Sequence, residues 1–485
     1  MAAMRRMVSI SVASAAVVGL VVPIGVAPPA FATPCSAPEA NGPAPAAMPE
    51  MPAPAPVVAP PTGRRPRGAN EQAPRPKLGP LIQSFGSLLK PLTRNPAQLQ
   101  AAVTPGPTPP GAAIPQSPNA NQAVPNAAPM PPPPPPANIA GAPTSLVDFV
   151  TGPNSPNKTL ERFGISGTDL GIPWDNGDPA GHQVLMAFGD TFGYCSVHGQ
   201  QWRYNVLFRS QDRDLNQGIH VADGVPNNQY SGSPVWAPGL SKQVLNSIHK
   251  ASHETGIIPT SAIALGRTQY MNFMSIKSWG RDGEWSTNYS GIARSVDNGQ
   301  SWGIFPGTIR LASADTVPGG RYFPGNENFQ MGAFMKGRDG YLYSFGTPSG
   351  RGGPAFLSRV QPNYLPDLTK YQYWNGEGKG WVARDPGAAT PIFPGPVGEM
   401  SAQYNDYLKQ YLVLYTNGGS NDVVARTAPS PEGPWSPEQP LVSSFSMPGG
   451  IYAPMIHPWS SGRDLYFNLS LWSAYDVMLM HTVLP

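Results

Sequence analysis

The chain is poor in cysteine, in charge and in helical pattern. Only Cys35 and Cys195 occur among its 485 residues, and charged side chains make up 13% of them. Two cysteines cannot by themselves build a structural zinc site. His182, His198, His220, His253 and His457 are scattered without metal-motif spacing and read as surface or loop residues. No Gly-rich phosphate loop and no nucleophile elbow is present. Beyond residue 26 no apolar run is long enough to span a bilayer. These gaps argue against nucleotide-dependent and serine-hydrolase chemistry, and nothing calls for a cofactor or a metal.

Proline, by contrast, is abundant: 62 residues, concentrated before residue 145. Arg5 and Arg6, the apolar run 8–26 and the small-residue site Ala30-Phe31-Ala32 read as a secretory signal peptide over residues 1–32. A membrane anchor is the alternative, but Pro23 interrupts the run and further prolines follow. Residues 33–145 form a Pro- and Ala-rich tail with a proline run at 131–136, expected to be disordered with polyproline character. At roughly 3.1 Å per residue such a tail could reach some 300 Å through a cell envelope. It carries seven basic residues against three acidic, so the remainder of the chain is slightly acidic. A nucleic-acid-binding domain would show the reverse. Export permits a disulfide, yet a cysteine in a free tail makes a buried free thiol at Cys195 the preferred reading.

From about residue 146 the composition turns aromatic, β-branched and Gly-rich, which predicts an all-β fold over 146–485. A weak three-strand repeat is legible five times. Its units start at Gly167, at 259–265, at 330–336, at 398–404 and at 451–457. Spacings of this size fit a five-bladed β-propeller with long loops. The turn Ser295-Val296-Asp297-Asn298-Gly299-Gln300-Ser301-Trp302 is a sialidase-type Asp box, and Ser430 to Trp435 closes the fourth unit in a similar way. Both are structural turns, so Asp297 is not a catalytic candidate. The first strand of each propeller blade lines the central channel, which gathers Asp169, Thr260, Ser261, Glu327, Asn328, Gln403 and Tyr452 there. Trp174 would supply an aromatic face for a sugar ring.

Two acids stand out: Asp169 in Gly167-Thr168-Asp169-Leu170-Gly171, and Asp190, which ends the apolar run 184–188 before Thr191 and Phe192. A carboxylate at the mouth of a buried strand is costly to desolvate unless it is paired or used. The pattern GTDLG (167–171) with LMAFGDTFG (185–193), followed by IPTSAIALG (258–266) and ARSVDNGQSW (293–302), resembles the domain of unknown function 4185 family. That family is grouped as glycoside hydrolase family 183, the endo-D-arabinanases. The resemblance covers about residues 146–485. It implies a five-bladed propeller that cleaves internal α-D-arabinofuranosyl bonds in the arabinan of mycobacterial arabinogalactan and lipoarabinomannan, with inversion. It also implies that Asp169 and Asp190 are the catalytic carboxylates.

Inversion needs a protonated acid at the leaving oxygen and a carboxylate that activates water, about 6.5–9.5 Å apart. Asp169, on the innermost strand, is assigned as base. Asp190 in its apolar setting is assigned as acid, because burial raises a carboxyl pKa. Glu327 is the rival acid, or else positions substrate or pairs with Arg321. Each aspartate could instead hold a turn. Two other readings stay open: a non-catalytic carbohydrate-binding propeller, and a sialidase-like enzyme, for which no arginine cluster is singled out. The expected partner is a cell-wall polysaccharide, with no nucleic acid, no membrane span after signal cleavage, and a monomeric state.

Overall fold

The computed structural model describes residues 34–35, 38–44, 134–281 and 283–485; the signal peptide and most of the Pro-rich stretch lie outside them. The described chain is almost entirely β and forms a five-bladed propeller. Blade 1 is built from Ile172–Asp175, Val184–Phe188 and Val206–Ser210. Blade 2 takes Gly256–Leu265, Thr268–Trp279 and Trp285–Ser295, with two short outer strands. Blade 3 runs from Met331–Lys336 to the outer strands Gln372–Trp374 and Trp381–Ala383. Blade 4 begins with Val397–Asn405 and ends with Gln439–Val442. Blade 5 begins with Ile451–Ile456 and is completed by the early strand Thr144–Phe149, which pairs with Asp476–Val483. That closure ties the two ends of the domain together.

The first strands of successive blades pack side by side around one axis, and blade 5 returns to blade 1. Every residue of Val184–Phe188 is buried, because both faces of this middle strand are covered by neighbouring blades. All five inner strands run the same way. Their starting ends therefore share one face of the propeller with Asp169, and their finishing ends share the other.

The Asp box lies on the far face. Ser295 Oγ donates to Asp297 Oδ1 at 2.7 Å, and Asp297 accepts the Ser301 backbone N–H at 2.9 Å. Trp302 then folds back edge-on to Trp174, with ring centroids 6.4 Å apart. Trp174 is only 3% exposed, and its Nε1 donates to Gln269 of blade 2 at 2.8 Å. It is core between two blades, not the sugar platform the sequence suggested. The four-residue strand carries it away from the Asp169 end and turns its ring toward the next blade. The second turn works in the same manner, with Trp435 edge-on to Phe345 and Phe393.

Two further expectations are corrected. Cys35 and Cys195 form a disulfide, with Cα atoms 5.8 Å apart. The short segment around Cys35 docks on blade 1: Cys195 N–H donates to Ala40 O, and Ser196 Oγ to Gly42 O, both at 2.7 Å. Pro34 packs where a Cβ on Gly167 would stand. No residue pattern signals this docking, since a four-residue 3-10 helix inside a Pro-rich stretch has no periodicity to read. His457 is also not a surface residue. It is 1% exposed, and burial pushes its pKa down to about 3.

Removal of the disulfide by Cys35→Ser should lower stability by about 2–5 kcal/mol, read as a fall in the denaturation midpoint that added reductant reproduces in the wild type. Trp174→Ala should cost about 3–5 kcal/mol by calorimetry while leaving KM of the surviving folded fraction unchanged. The folded state holds His457 neutral, whereas the unfolded chain protonates it near its ordinary 6.5. Stability is therefore intact above that value and falls as pH drops toward about 3, with a slope approaching 1.4 kcal/mol per pH unit. His457→Gln should flatten that part of a urea-midpoint-against-pH curve.

Candidate active site

Asp169 and Asp190 are brought together by a two-rung antiparallel ladder. Gly167 pairs with Phe192 and Thr168 with Thr191, and just beyond the second rung the Gly189 N–H donates to Asp169 O at 3.1 Å, next to Asp190. The Thr168 and Thr191 hydroxyls meet at 2.7 Å beneath them, and Thr191 Oγ1 also donates to Gly189 O. Both aspartates are almost fully buried, at 2% and 1% exposure. A Cβ on Gly189 would lie 2.4 Å from Asp169 Oδ1, so only glycine leaves room for that carboxylate. The glycine before Asp190 thus serves Asp169.

The turn after Asp169 is held from blade 5. Leu170 has a positive φ of 72°, an uncommon state for a branched side chain, and its N–H donates to Ser470 Oγ at 2.8 Å. Gly171 O accepts from Asn468 Nδ2 at 2.7 Å. Strain of this kind persists only where the surroundings over-determine it, and it clusters at functional sites.

Tyr452, at the start of the blade 5 inner strand, donates its hydroxyl to Asp169 Oδ2 at 2.9 Å. It is fully buried, so it positions the acid and presents no face to a sugar. An aromatic row continues from it: Tyr452 to Trp472 at 6.2 Å, Trp472 to Tyr475 at 5.8 Å, and Tyr475 to Phe192 at 5.8 Å.

Glu254, which sequence reasoning missed, is a third carboxylate at this end. It is 5% exposed, and Oε2 accepts from Ser275 Oγ at 2.6 Å and from the Tyr289 hydroxyl at 3.2 Å. Asn288 Nδ2 in turn donates to Ser275 Oγ at 3.1 Å. Tyr204 lies across from Asp190, between the Phe188–Val206 pair and the Thr191–Arg203 bridge. Burial raises the Tyr204 phenol pKa, and the charges of Glu254 and Asp190 add to the rise. Its hydroxyl therefore stays protonated, within the electrostatic reach of both carboxylates. Trp202 stands edge-on to Tyr204 at 4.8 Å and is half-buried.

Also missed was Arg351, in the Gly-rich turn after the second strand of blade 3. Its guanidinium makes two 2.8 Å bonds to Glu399 of blade 4. No residue spacing announces this pair.

The other expected site residues make contacts of their own. Glu327 and Asn328 belong to the 3-10 turn Asn326–Phe329, which precedes the blade 3 inner strand and lies on the Asp169 side. Glu327 accepts from the Tyr322 hydroxyl and the Gly325 N–H, each at 2.8 Å. Arg321 stacks instead on Phe323, so the Glu327–Arg321 pairing is not formed. Gln403 lies toward the finishing end of its strand, where Nε2 donates to Ser460 O at 2.9 Å. That places it at the opposite face, away from Asp169. Thr260 is engaged with Asn272 across the hairpin. Among the described residues no three His, Cys, Asp or Glu side chains converge as a metal-ligand set, and no helix is long and apolar enough to cross a membrane.

This chain is similar to "Notoamide biosynthesis cluster protein J'" of Aspergillus versicolor, with 28% identity over 64% of this chain and 83% of the relative. It is also similar to the "Uncharacterized 35.9 kDa protein in asd 3'region" of Mycolicibacterium smegmatis, at 25% identity over 51% and 66%. Among solved structures, the catalytic domain of Coprinopsis cinerea GH62 alpha-L-arabinofuranosidase aligns over 72% of this chain and 98% of that one, with 12% identity and a TM-score of 0.40. Native Bacillus subtilis arabinanase Arb43A aligns over 65% and 95%, with 10% identity and a TM-score of 0.36. Residues 154–481, most of the chain, match the family described as "Domain of unknown function (DUF4185)", and the protein belongs to that family.

Proposed function

We propose that this protein is a glycoside hydrolase and that it cleaves internal α-D-arabinofuranosyl linkages in cell-wall D-arabinan, with inversion. The observation that carries this reading is that Asp169 and Asp190, both almost fully buried, flank the short ladder of Gly167–Thr168 with Thr191–Phe192, with the Tyr452 hydroxyl donating to Asp169. Buried paired carboxylates with aromatic neighbours suit acid–base cleavage of a sugar acetal.

Asp169 accepts the Tyr452 hydroxyl, and a hydrogen bond to the charged form favours that form. Asp169 is therefore the base that takes a proton from water. Asp190 is 1% exposed and follows the fully buried run 184–188, a setting that suits the acid of such a pair. Asp190 is the acid that protonates the leaving oxygen. Water attacks the anomeric carbon on one face as the glycosidic C–O bond breaks on the other. The proton lost by water rests on Asp169, and the one given by Asp190 leaves with the departing sugar hydroxyl.

The arabinan substrate, the export of the chain and its place in the envelope are parts of this proposal. An oxidising compartment suits the Cys35–Cys195 bond.

Asp169→Asn and Asp190→Asn should each reduce release of reducing ends from arabinogalactan by about 10²–10⁴-fold, with thermal midpoints near wild type. Product configuration read by proton NMR on first release should be inverted. Undiminished activity in both variants, or a wild type that releases no oligosaccharide, would overturn the assignment.

A further inference from the structure

Arg351 reaches from blade 3 toward the axis through a passage built of glycines. A Cβ on Gly283 would stand 2.8 Å from its Cδ, one on Gly398 2.9 Å from its Cγ, and one on Gly418 2.7 Å from its Cβ. The side chain is 3% exposed and forks onto both oxygens of Glu399, itself 7% exposed. Its Cζ lies 4.9 Å from the centre of the Tyr452 ring and 5.7 Å from that of Trp285. Tyr452 in turn bonds Asp169. One cation thus connects blades 2, 3, 4 and 5 to the carboxylate that blade 1 supplies.

We propose that Arg351, fixed by Glu399, is a positioning residue for Asp169 that acts through Tyr452. This rests on the reading of Asp169 as the base. A guanidinium over a phenol ring is attracted to its π-face and draws electron density from it, which makes the hydroxyl a better donor. A better donor favours the ionised form of the carboxylate that accepts from it. Glu399 holds the fork in one orientation, and the ring between Arg351 and the Asp169 side cannot turn without losing both contacts.

The geometry argues against a purely structural purpose. A buried ion pair is replaced with little loss by well-packed apolar side chains, so stability alone does not call for one here. Three glycines from two other blades are given over to admitting this side chain. The cation lies over the ring of the tyrosine whose hydroxyl donates to Asp169.

The test is a carboxyl titration in the full chain, independent of turnover. Aspartate labelled with carbon-13 at Cγ is followed by NMR against pH, with the Asp169 resonance assigned by its loss in Asp169→Asn. Tyr452→Phe should move the Asp169 midpoint up by about one pH unit. The paired variant Arg351→Met with Glu399→Leu, which leaves no orphaned charge, should move it in the same direction by less. Combined with Tyr452→Phe, the paired variant should add no further shift, because its effect passes through the hydroxyl. Arg351→Lys, which keeps the charge and loses the fork, is the second route if the paired variant does not fold, and it should also move the midpoint up. An Asp169 midpoint unmoved in the paired variant, or additive shifts in the combination, would overturn the relay. If the midpoint moves as stated but the wild type cleaves no arabinan, the relay stands and the hydrolase reading fails. With activity present, the acidic limb of the kcat/KM–pH profile should follow the NMR midpoints.

Discussion

A carboxylate 2% exposed, on the axis of an all-β ring, is the constraint to which the rest of this molecule answers. Removing an ionised oxygen from water is tolerable only with donors aimed at it. Asp169 receives one from blade 5, while its backbone carbonyl accepts N–H groups from Gly171 and Gly189. Its own loop adopts a left-handed residue, and the adjacent strand gives up a side chain at Gly189. The surrounding fold is organised to make that placement affordable.

A propeller supplies such a place cheaply in sequence terms. Parallel inner strands bring their starting ends to one face, so residues as distant as Asp169, Glu254, Arg351, Glu399 and Tyr452 meet without any long-range motif. The opposite face carries the tryptophan turns that knit hairpins together, and it holds Trp174 and Gln403. Chemistry and cohesion are thereby separated along the axis. Glu254, with its hydroxyl partners Ser275 and Tyr289, belongs to the first of these faces.

The inner three strands of blades 2 to 5 were legible because apolar runs bounded by turn residues mark buried strands. Blade 1 instead opens at Ile172–Asp175, and the expected Gly167 start belongs to a separate two-stranded ladder, which leaves Asp169 in the turn between them. Gln410–Asn417, Asp464–Leu471 and Asp476–Val483 stand where that pattern puts them. Outer strands such as Gln372–Trp374 and Trp381–Ala383 were not, since three half-exposed residues carry no period. The closing strand Thr144–Phe149 escaped notice because its partner lies more than 300 residues away. Asp169 and Asp190 could be picked out because Gly-flanked acids after apolar runs are rare and expensive. Arg351 and Glu399 could not, because a salt bridge is a property of two places in space, and a lone arginine among glycines reads as a loop. Trp174 misled for the reverse reason: aromatic character is visible in a sequence, but the direction of a ring is not.

The bond between Cys35 and Cys195 changes what the Pro-rich stretch can be mechanically. At its far end, Ala137 and Ile139 are gripped by Gln410 and Gln439 of blade 4. The described segments on either side of that stretch are thus each fastened to the propeller. A single proteolytic nick within it would shed nothing, since the upstream piece stays covalently attached.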